Sequence, residues 1–310
     1  MFGLPPSKAG STPTFSLSNA SQEQAEWRQL DFSLAGGTLA GNVCTAPIIM
    51  TRTVAFLFLW FAILCLSATA DDAFPDADIQ WILDQYHVSE PVSLIPAEGF
   101  AGWTKSGGAQ IATPSKWTNK DGKLILEHSD RTQNYAGGEI VTVKQYTNFV
   151  LDFAWIASEK CNSGVKYRFK QFTNKNNNAS SWLGCEYQIL DDSKSKEQGK
   201  GSTASLYEMF APDKEKKRLN PHGQINTGRI VVLDTHIEHW LNGAKVLVCV
   251  VGSDAWKKAY AESKFPTLRV KPEGFGENPT GFIMLQDHGG SITFEQVIIR
   301  EIGEKRYNGE

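Results

Sequence analysis

Two stretches in the middle of the chain, residues 161–169 and 184–191, alternate apolar and polar side chains with the two-residue period of a β-strand. The apolar positions are Val165, Tyr167 and Phe169 in the first stretch, and Tyr187 and Ile189 in the second. The polar positions are Lys166 and Arg168 in the first stretch, continued by Lys170 directly after it, and Glu186 and Gln188 in the second. If the two strands pair, their polar face is either an ordinary solvated surface or the floor of a carbohydrate-binding cleft.

Similar short runs recur up to residue 302 with turn signals between them, and helical spacing is rare. The clearest turn is Asn242-Gly243, which follows the alternating run 236–241 and predicts a tight hairpin. Helical spacing is confined to part of residues 71–91 and to residues 253–264, where Ser253 is placed to cap the helix. About a dozen short strands with few helices predict an all-β antiparallel sandwich or barrel.

Residues 50–70 have the three parts of a secretory signal peptide: a positively charged start, an apolar run over residues 54–66 and a small-residue end at 68–70. The apolar run is shorter than the ~20 residues that span a bilayer, so a cleaved signal is favoured over an uncleaved anchor. We therefore predict export to the periplasm or the extracellular space, with a mature chain that begins at Asp71. Residues 1–49 are predicted to be a disordered leader or a gene-start error.

Composition and charge change this picture little. With 310 residues, a net charge of −3 and 41% hydrophobic residues, the chain is an ordinary globular protein, and its short basic segment at 214–218 predicts no nucleic-acid partner. An exported protein can form disulfides, and Cys161 and Cys185, near the starts of the two central stretches, are the best candidate pair. Cys249 lies in the apolar run 246–251 and is predicted to be a core residue.

Eight short motifs occur in a fixed order along residues 92–302. They are Gly102-Trp103; Trp117 with Asp121-Gly122; Tyr146 with Asn148-Phe149; Asn162-Ser163-Gly164; Glu186 with Gln188-Ile189-Leu190-Asp191; Leu206-Tyr207; His239-Trp240-Leu241-Asn242-Gly243; and Leu285-Gln286-Asp287-His288-Gly289-Gly290. Together they resemble the 3-keto-disaccharide hydrolase family of secreted glycosyl hydrolase-like proteins. The resemblance implies a concanavalin A-like jelly-roll β-sandwich and bacterial carbohydrate chemistry. One departure is Lys166, where the family often has an apolar residue.

The resulting organisation is a leader, a signal peptide, a helical segment, one sandwich domain and a tail. Their predicted bounds are 1–49, 50–70, 71–91, 92–302 and 303–310.

A 3-keto sugar can be cleaved by a route that needs one general base. The ketone at C3 acidifies the hydrogen at C2, a base removes that proton, and the glycosidic oxygen leaves from C1 before water adds back. This route needs a base, a group that stabilises the enolate and an acid for the leaving group. An ordinary retaining glycosidase needs two carboxylates about 5 Å apart, whereas the polar face of the central strands offers Glu186 alone.

The residues in motif positions are assigned roles in this route. Glu186 or His288 is the expected base, Arg168 or Lys166 the enolate stabiliser, and His239 and Tyr207 are candidate acids or sugar contacts. The other expected substrate contacts are Lys166, Gln188, Trp240 and Asp287. A divalent metal such as Ca²⁺, held by Glu186, Asp191 or His288, is an alternative source of positive charge. The sequence has no compact ligand spacing for a metal, and no other cofactor is predicted.

Each of these residues also has a structural interpretation. His239 beside Trp240 is compatible with simple packing, and Asp191 and Asp287 are compatible with turn formation. Two other functions stay open: a non-catalytic, lectin-like carbohydrate-binding module, and an ordinary glycoside hydrolase with a second carboxylate beside Glu186. An oligosaccharide or glycoside is the expected partner, with no membrane association after signal cleavage. Convergence of Glu186, His288 and Arg168 in one pocket would favour the enzyme.

Overall fold

The structure is a computed structural model that describes residues 74–112, 115–129 and 138–307. Within these ranges the chain is mostly β-strand, and no helix is long and apolar enough to cross a membrane. The predicted leader and signal peptide, residues 1–49 and 50–70, lie outside the described residues.

The described strands form two antiparallel sheets of nine and five strands. The strands of the larger sheet are β1 (Tyr86–Val88), β2 (Val92–Ser93), β4 (Trp117–Lys120), β5 (Lys123–Ser129), β7 (Phe149–Ala157), β10 (Ile225–Leu233), β11 (His236–Leu241), β12 (Ala244–Val250) and β14 (Gly290–Lys305). Their order is β12-β11-β10-β7-β14-β5-β4, and β1 and β2 also pair with β14. The strands of the smaller sheet are β3 (Trp103–Thr104), β6 (Ile140–Tyr146), β8 (Asn162–Thr173), β9 (Ser180–Leu190) and β13 (Gly281–Leu285). Their order is β3-β6-β13-β8-β9. The predicted antiparallel β-sandwich is therefore confirmed.

Two short α-helices accompany the sheets, α1 (Gln80–Gln85) and α2 (Asp254–Glu262). Ser253 caps α2 as predicted, because its side chain accepts a hydrogen bond from the backbone N–H of Trp256 at 3.2 Å. Single 3₁₀ turns occur at Asp76–Ile79, Gly199–Gly201 and Phe265–Thr267.

The main core lies between the two sheets and is rich in aromatic residues. Phe153 on β7 meets Tyr187 on β9 edge to face, with ring centroids 5.0 Å apart. Trp155 and Tyr167 are also almost completely buried in this layer. Because burying such a side chain contributes about 1.5–3 kcal/mol, these inward-facing residues fix the register of the central strands.

The N-terminal segment covers part of the outer face of the larger sheet. Ile79 and Ile82 pack against Val150 and Val231 in a second, smaller apolar cluster. The helix predicted in residues 71–91 is therefore present, and its apolar side closes this face. The described elements show no equivalent helical cover over the outer face of the smaller sheet, which carries the polar positions of the two central strands.

Candidate functional site

The predicted polar face exists and is built by β8 and β9. Lys166 and Glu186 are direct cross-strand partners, and Gly164 is the partner of Gln188. The Nζ of Lys166 lies 3.3 Å from Oε2 of Glu186, and their side chains are 15% and 9% exposed. The sequence therefore placed these residues on one face correctly, and the two charges form an ion pair with limited access to solvent.

Gln188 holds the other oxygen of the Glu186 carboxylate. With its amide nitrogen directed at the acid, Gln188 donates to Oε1 of Glu186 at 3.2 Å and to the backbone oxygen of Ser163 at 3.1 Å. Gly164 leaves the room that this carboxylate occupies, since a Cβ at residue 164 would lie 2.7 Å from Oε1 of Glu186. The carboxylate is thus fixed from two sides.

A further segment extends the edge of the sheet beyond β9 and brings in Tyr207. The N–H of Tyr207 donates to the backbone oxygen of Glu186 at 3.0 Å, and Leu206 bridges to Tyr187. Because side chains alternate along an extended segment, Tyr207 lies on the same side of the sheet as Glu186. Tyr207 therefore continues the cross-strand row formed by Lys166 and Glu186.

Lys264, which follows α2, completes this group. Its Nζ donates to Oη of Tyr207 at 3.0 Å and lies 3.5 Å from Oε1 of Glu208. Burial acts to lower the pKa of Lys264, but the hydrogen bond to Tyr207 and the carboxylates of Glu208 and Glu186 raise it above its ordinary value. We call Lys166, Glu186, Gln188, Tyr207 and Lys264 the Glu186 cluster.

The next cross-strand row, which contains Gly164 and Gln188, includes buried polar atoms that have no hydrogen-bond partner among the described residues. Gln286 donates its backbone N–H to the oxygen of Gly164 at 3.0 Å, while Gln188 donates its own N–H to the oxygen of Ser205. Among the described residues, Oε1 of Gln286 and Oγ of Ser205 make no hydrogen bond. Since buried polar atoms are normally paired, these two are exceptions within the described residues.

An aromatic patch adjoins the Glu186 cluster on the same sheet face. Its buried layer is Val141, Phe169 and Met284, and its partly exposed layer is Trp182 and Phe282. The Trp182 ring centroid is 5.5 Å from that of Phe169 and 6.0 Å from that of Phe282. The aromatic patch directly adjoins the Glu186 cluster, because Met284 of the patch pairs with Lys166 of the cluster across β13 and β8.

The patch exists because β8 bulges after Tyr167. Arg168 has a left-handed backbone with φ of 49°, and the pairing with β9 skips from Tyr167 to Lys170. Gly184 and Gly281 flank the bulge, where an added Cβ would lie 2.7 Å and 2.5 Å from the β8 backbone. The extra residue reverses the alternation, so Phe169 points outward rather than into the core.

The bulge also corrects the predicted role of Arg168. Its guanidinium is buried and donates to the backbone oxygens of Gly276, at 2.7 Å, and of Asp234. Arg168 therefore holds two loops together and does not join Glu186 on the open face. Of the two predicted enolate stabilisers, Lys166 is the one beside Glu186.

His239 and Trp240 are corrected as well. His239 is completely buried between the sheets, where Tyr167 Oη donates to Nε2 at 2.9 Å and Nδ1 donates to the oxygen of Ala204 at 3.1 Å. Burial lowers the pKa of His239 to about 4 despite the hydrogen bonds with Ala204 and Ser205, which raise it. Trp240 lies on the larger sheet and donates to Glu238 at 2.8 Å. Neither residue reaches the Glu186 cluster.

The remaining predicted residues lie beyond the ends of the same strands. Asp191 closes a turn by accepting from Oγ of Ser193 at 2.6 Å, and Asp287 accepts from the N–H of Gly138 at 2.9 Å. His288 is partly exposed, and the adjacent Gly289 oxygen accepts from the N–H of Asn162. Asn162 is four residues from Lys166 along β8, about 13 Å, so His288 lies toward the far end of the face from Glu186. The predicted convergence of Glu186, His288 and Arg168 in one pocket is therefore wrong.

The described residues contain no group of three or more His, Cys, Asp or Glu side chains placed to hold a metal ion. The metal candidates Glu186, Asp191 and His288 are thus dispersed along the strands.

The predicted disulfide between Cys161 and Cys185 is wrong, because both cysteines are free. Cys185 pairs with Tyr167, which is six residues along the chain from Cys161. At about 3.3 Å per residue this is roughly 20 Å, far beyond the ~7 Å that a disulfide allows between Cα atoms.

Sequence reasoning missed Lys264 and Gln286 as site residues. Lys264 gave no local signal, since it follows a helix and reaches the site only through the packing of that helix. Gln286 was detectable, because it has the same parity as Met284 on a strand next to Lys166.

The described residues form a β-sandwich in which the outer face of the smaller sheet brings together the Glu186 cluster and the aromatic patch. Residues 90–300 match the family described as the 3-keto-alpha-glucoside-1,2-lyase-like domain, and because this covers more than half of the chain, the protein belongs to that family. The resemblance inferred from the sequence motifs is confirmed.

Two relatives illustrate the similarity. A Bacteroides thetaiotaomicron protein named 3-keto-disaccharide hydrolase is 28% identical over 229 residues, which cover 67% of this chain and 77% of the relative. A crystal structure of a candidate glycosyl hydrolase from Parabacteroides distasonis is 29% identical with a TM-score of 0.56, and the match covers 67% of this chain and 92% of that one.

Proposed function

We propose that this protein cleaves the glycosidic bond of a 3-keto sugar by elimination at the Glu186 cluster. The observation that carries the proposal is the single carboxylate of Glu186, held between the ammonium of Lys166 at 3.3 Å and the amide of Gln188 at 3.2 Å. Membership in the 3-keto-alpha-glucoside-1,2-lyase-like family and the name of the Bacteroides relative support the same class of substrate.

The reaction assigns one task to each group in the cluster. Glu186 removes the proton from C2, and the electrons of that bond form an enolate whose oxygen, at C3, is stabilised by Lys166. The C1–O bond then breaks, and Tyr207 protonates the departing oxygen while Lys264 stabilises the resulting phenolate. Water adds a hydroxyl group to C1 and a proton to C2, which restores the 3-keto sugar.

Other carboxylates are less well placed for an ordinary double displacement. Asp191 and Asp287 hold backbone N–H groups, and Glu238 lies on the larger sheet. Glu208 comes nearest, since it shares Lys264 with the cluster. Its contacts with the side chain and the backbone N–H of Lys264 indicate a role in positioning that lysine.

The decisive test is turnover of 3-keto-trehalose by the purified protein in D₂O, with and without EDTA. Elimination introduces deuterium at C2 of the 3-keto sugar product faster than in the enzyme-free control, whereas a double displacement leaves the C2–H bond intact. Glu186→Gln should abolish both sugar release and deuterium incorporation, and Glu208→Gln should retain them. An ordinary glycosidase would be supported if Glu208→Gln loses turnover and the wild type cleaves the substrate without introducing deuterium at C2. Binding of plain glycans without turnover would support a lectin-like module.

The proposal also places the enzyme outside the cytoplasm, on the basis of the signal-peptide pattern in residues 50–70. N-terminal sequencing of the protein recovered from the periplasm or the medium should begin at Asp71. Recovery in the cytoplasm with an intact N-terminus would contradict export.

A further inference from the structure

The aromatic patch beside the Glu186 cluster has no role in the elimination itself. Its exposed layer is the pair Trp182 and Phe282, which rests on buried Phe169 and Met284. A partly exposed tryptophan supported from beneath by other rings presents a rigid apolar surface at low entropic cost. Such a surface suits the apolar C–H face of a sugar ring or the face of an aryl group.

We propose that Trp182 and Phe282 form the subsite for the ring of the leaving group, and that the enzyme selects substrates whose leaving group is cyclic. This inference rests on the proposed function, because it takes the keto ring to lie at Glu186. In a disaccharide the second ring is necessarily the leaving group, since the C1–O bond of the keto ring is the one that breaks.

Strand geometry places the two subsites in sequence along one face. Trp182 lies four residues from Glu186 on β9, on the same side of the strand and about 13 Å away along it. The patch begins nearer than this, because Met284 is the cross-strand neighbour of Lys166. In this proposal the second ring extends from Glu186 along β9 toward Trp182 and lies over the patch, whereas a methyl group is too short to reach it.

The bulge at Arg168 supports a dedicated subsite. Without the extra residue, the regular alternation of β8 would turn Phe169 into the core and remove the ring beneath Trp182. Gly184 and Gly281 both leave space for the displaced backbone, and a side chain at either position would collide with it. Three strands thus cooperate to bring aromatic side chains to an outer sheet face.

The test compares cyclic and small leaving groups in the same variants. Binding of phenyl and methyl β-glucoside is measured by NMR titration, and turnover is measured on 3-keto-trehalose and methyl 3-keto-glucoside. We expect Trp182→Ala to lose about tenfold in affinity for the phenyl glucoside and in kcat/KM for 3-keto-trehalose. Its affinity for the methyl glucoside and its turnover of the methyl substrate should be unchanged. Trp182→Phe should restore most of the loss.

Trp81→Ala is the matched control, since Trp81 packs in the cluster on the outer face of the larger sheet. Equal losses on both kinds of substrate in Trp182→Ala, or no loss on either, would overturn the subsite. If the wild type turns over no keto sugar but binds the phenyl glucoside through Trp182, the elimination proposal fails and the subsite stands. If the wild type turns over 3-keto-trehalose better than methyl 3-keto-glucoside and Trp182→Ala keeps that preference, the subsite fails and the elimination proposal stands.

Discussion

The buried imidazole of His239 should make the stability of this protein fall at mildly acidic pH. His239 is completely buried, with Tyr167 donating to Nε2 and Ala204 accepting from Nδ1. Both ring nitrogens are therefore satisfied in one neutral tautomer, and a second ring proton would bring an uncompensated charge into the core. The perturbation is a change from pH 7 to pH 5, applied to the wild type and to His239→Gln.

The size of the stability loss follows from the pKa of His239 in the folded and the unfolded protein. Burial lowers the pKa of His239 to about 4 in the folded protein, against about 6.5 for an ordinary histidine. The unfolded chain therefore binds the proton first, so stability is fully present above about pH 6.5 and is lost as the pH falls toward 4. The linkage between proton binding and folding lowers the free energy of unfolding by about 2 kcal/mol between pH 7 and pH 5, and by about 3 kcal/mol in total below pH 4.

Urea unfolding at the two pH values measures this loss. With a slope of about 3 kcal/mol/M, the wild-type midpoint should fall by about 0.7 M more than that of His239→Gln, which has no titrating group at this position. Comparing the two proteins removes the contribution of every other ionisable residue. Parallel pH dependences would refute the reasoning. Turnover of His239→Gln should stay within a few-fold of the wild type, whereas a catalytic histidine would cost about 10²–10⁴-fold.

Three further predictions concern the site and the cysteines. Gly164→Ala should reduce turnover at least tenfold with a modest change in Tm, because its Cβ would lie 2.7 Å from Oε1 of Glu186 and a displaced catalytic group is costly. Burial raises the pKa of Cys161 and of Cys185 to about 12, so neither thiol should react with Ellman's reagent at pH 8 until the protein unfolds. Lys264→Gln should lower turnover about 10²-fold while Lys264→Arg retains most of it, since the raised pKa keeps the ammonium charged throughout pH 6–9.

Each prediction has a control and a contradicting outcome. Gly303→Ala is the match for Gly164→Ala, because its nearest neighbour is a backbone oxygen at 3.3 Å; equal activities of the two variants would contradict the steric argument. Peptide mapping after the thiol reaction separates Cys161 from Cys185, and a Tm that drops with dithiothreitol would reveal a disulfide. Full activity in Lys264→Gln would contradict the proposal that Lys264 stabilises the phenolate of Tyr207.

The sequence was sufficient to place Lys166, Glu186 and Gln188 on one face, because the two-residue period of a strand decides this locally. The same rule failed after Tyr167, where one extra residue inverts the face of every later side chain. That bulge depends on glycines in the two neighbouring strands, and which strands are neighbours is settled by the global topology. Local alternation could not therefore predict that Arg168 turns inward.

The error on His239 was of a different kind, because the sequence did contain the relevant signal. His239 has the same parity in β11 as Ile237 and Leu241, and all three are completely buried. Its position in a motif suggested chemistry, while its parity indicated the core. The disulfide prediction was wrong because it considered only that both cysteines lie near strand starts. In an antiparallel pair the starts of the two strands lie at opposite ends, and Cys185 therefore pairs with Tyr167 rather than lying beside Cys161.

Among the described strands, two cross-strand acid–base pairs are largely buried, one in each sheet, and they differ in what covers them. Asp152 and Arg229 are partners on β7 and β10, joined by two hydrogen bonds of 2.5 and 3.1 Å, with side chains 3–4% exposed next to the N-terminal segment. Arg229 also contacts Pro75 and Asp78, so its guanidinium nitrogens are already engaged within the protein. Lys166 and Glu186 are joined more loosely and lie on the face without helical cover among the described elements. In the proposed elimination, this carboxylate takes the proton from C2 while the ammonium of Lys166 faces the developing enolate.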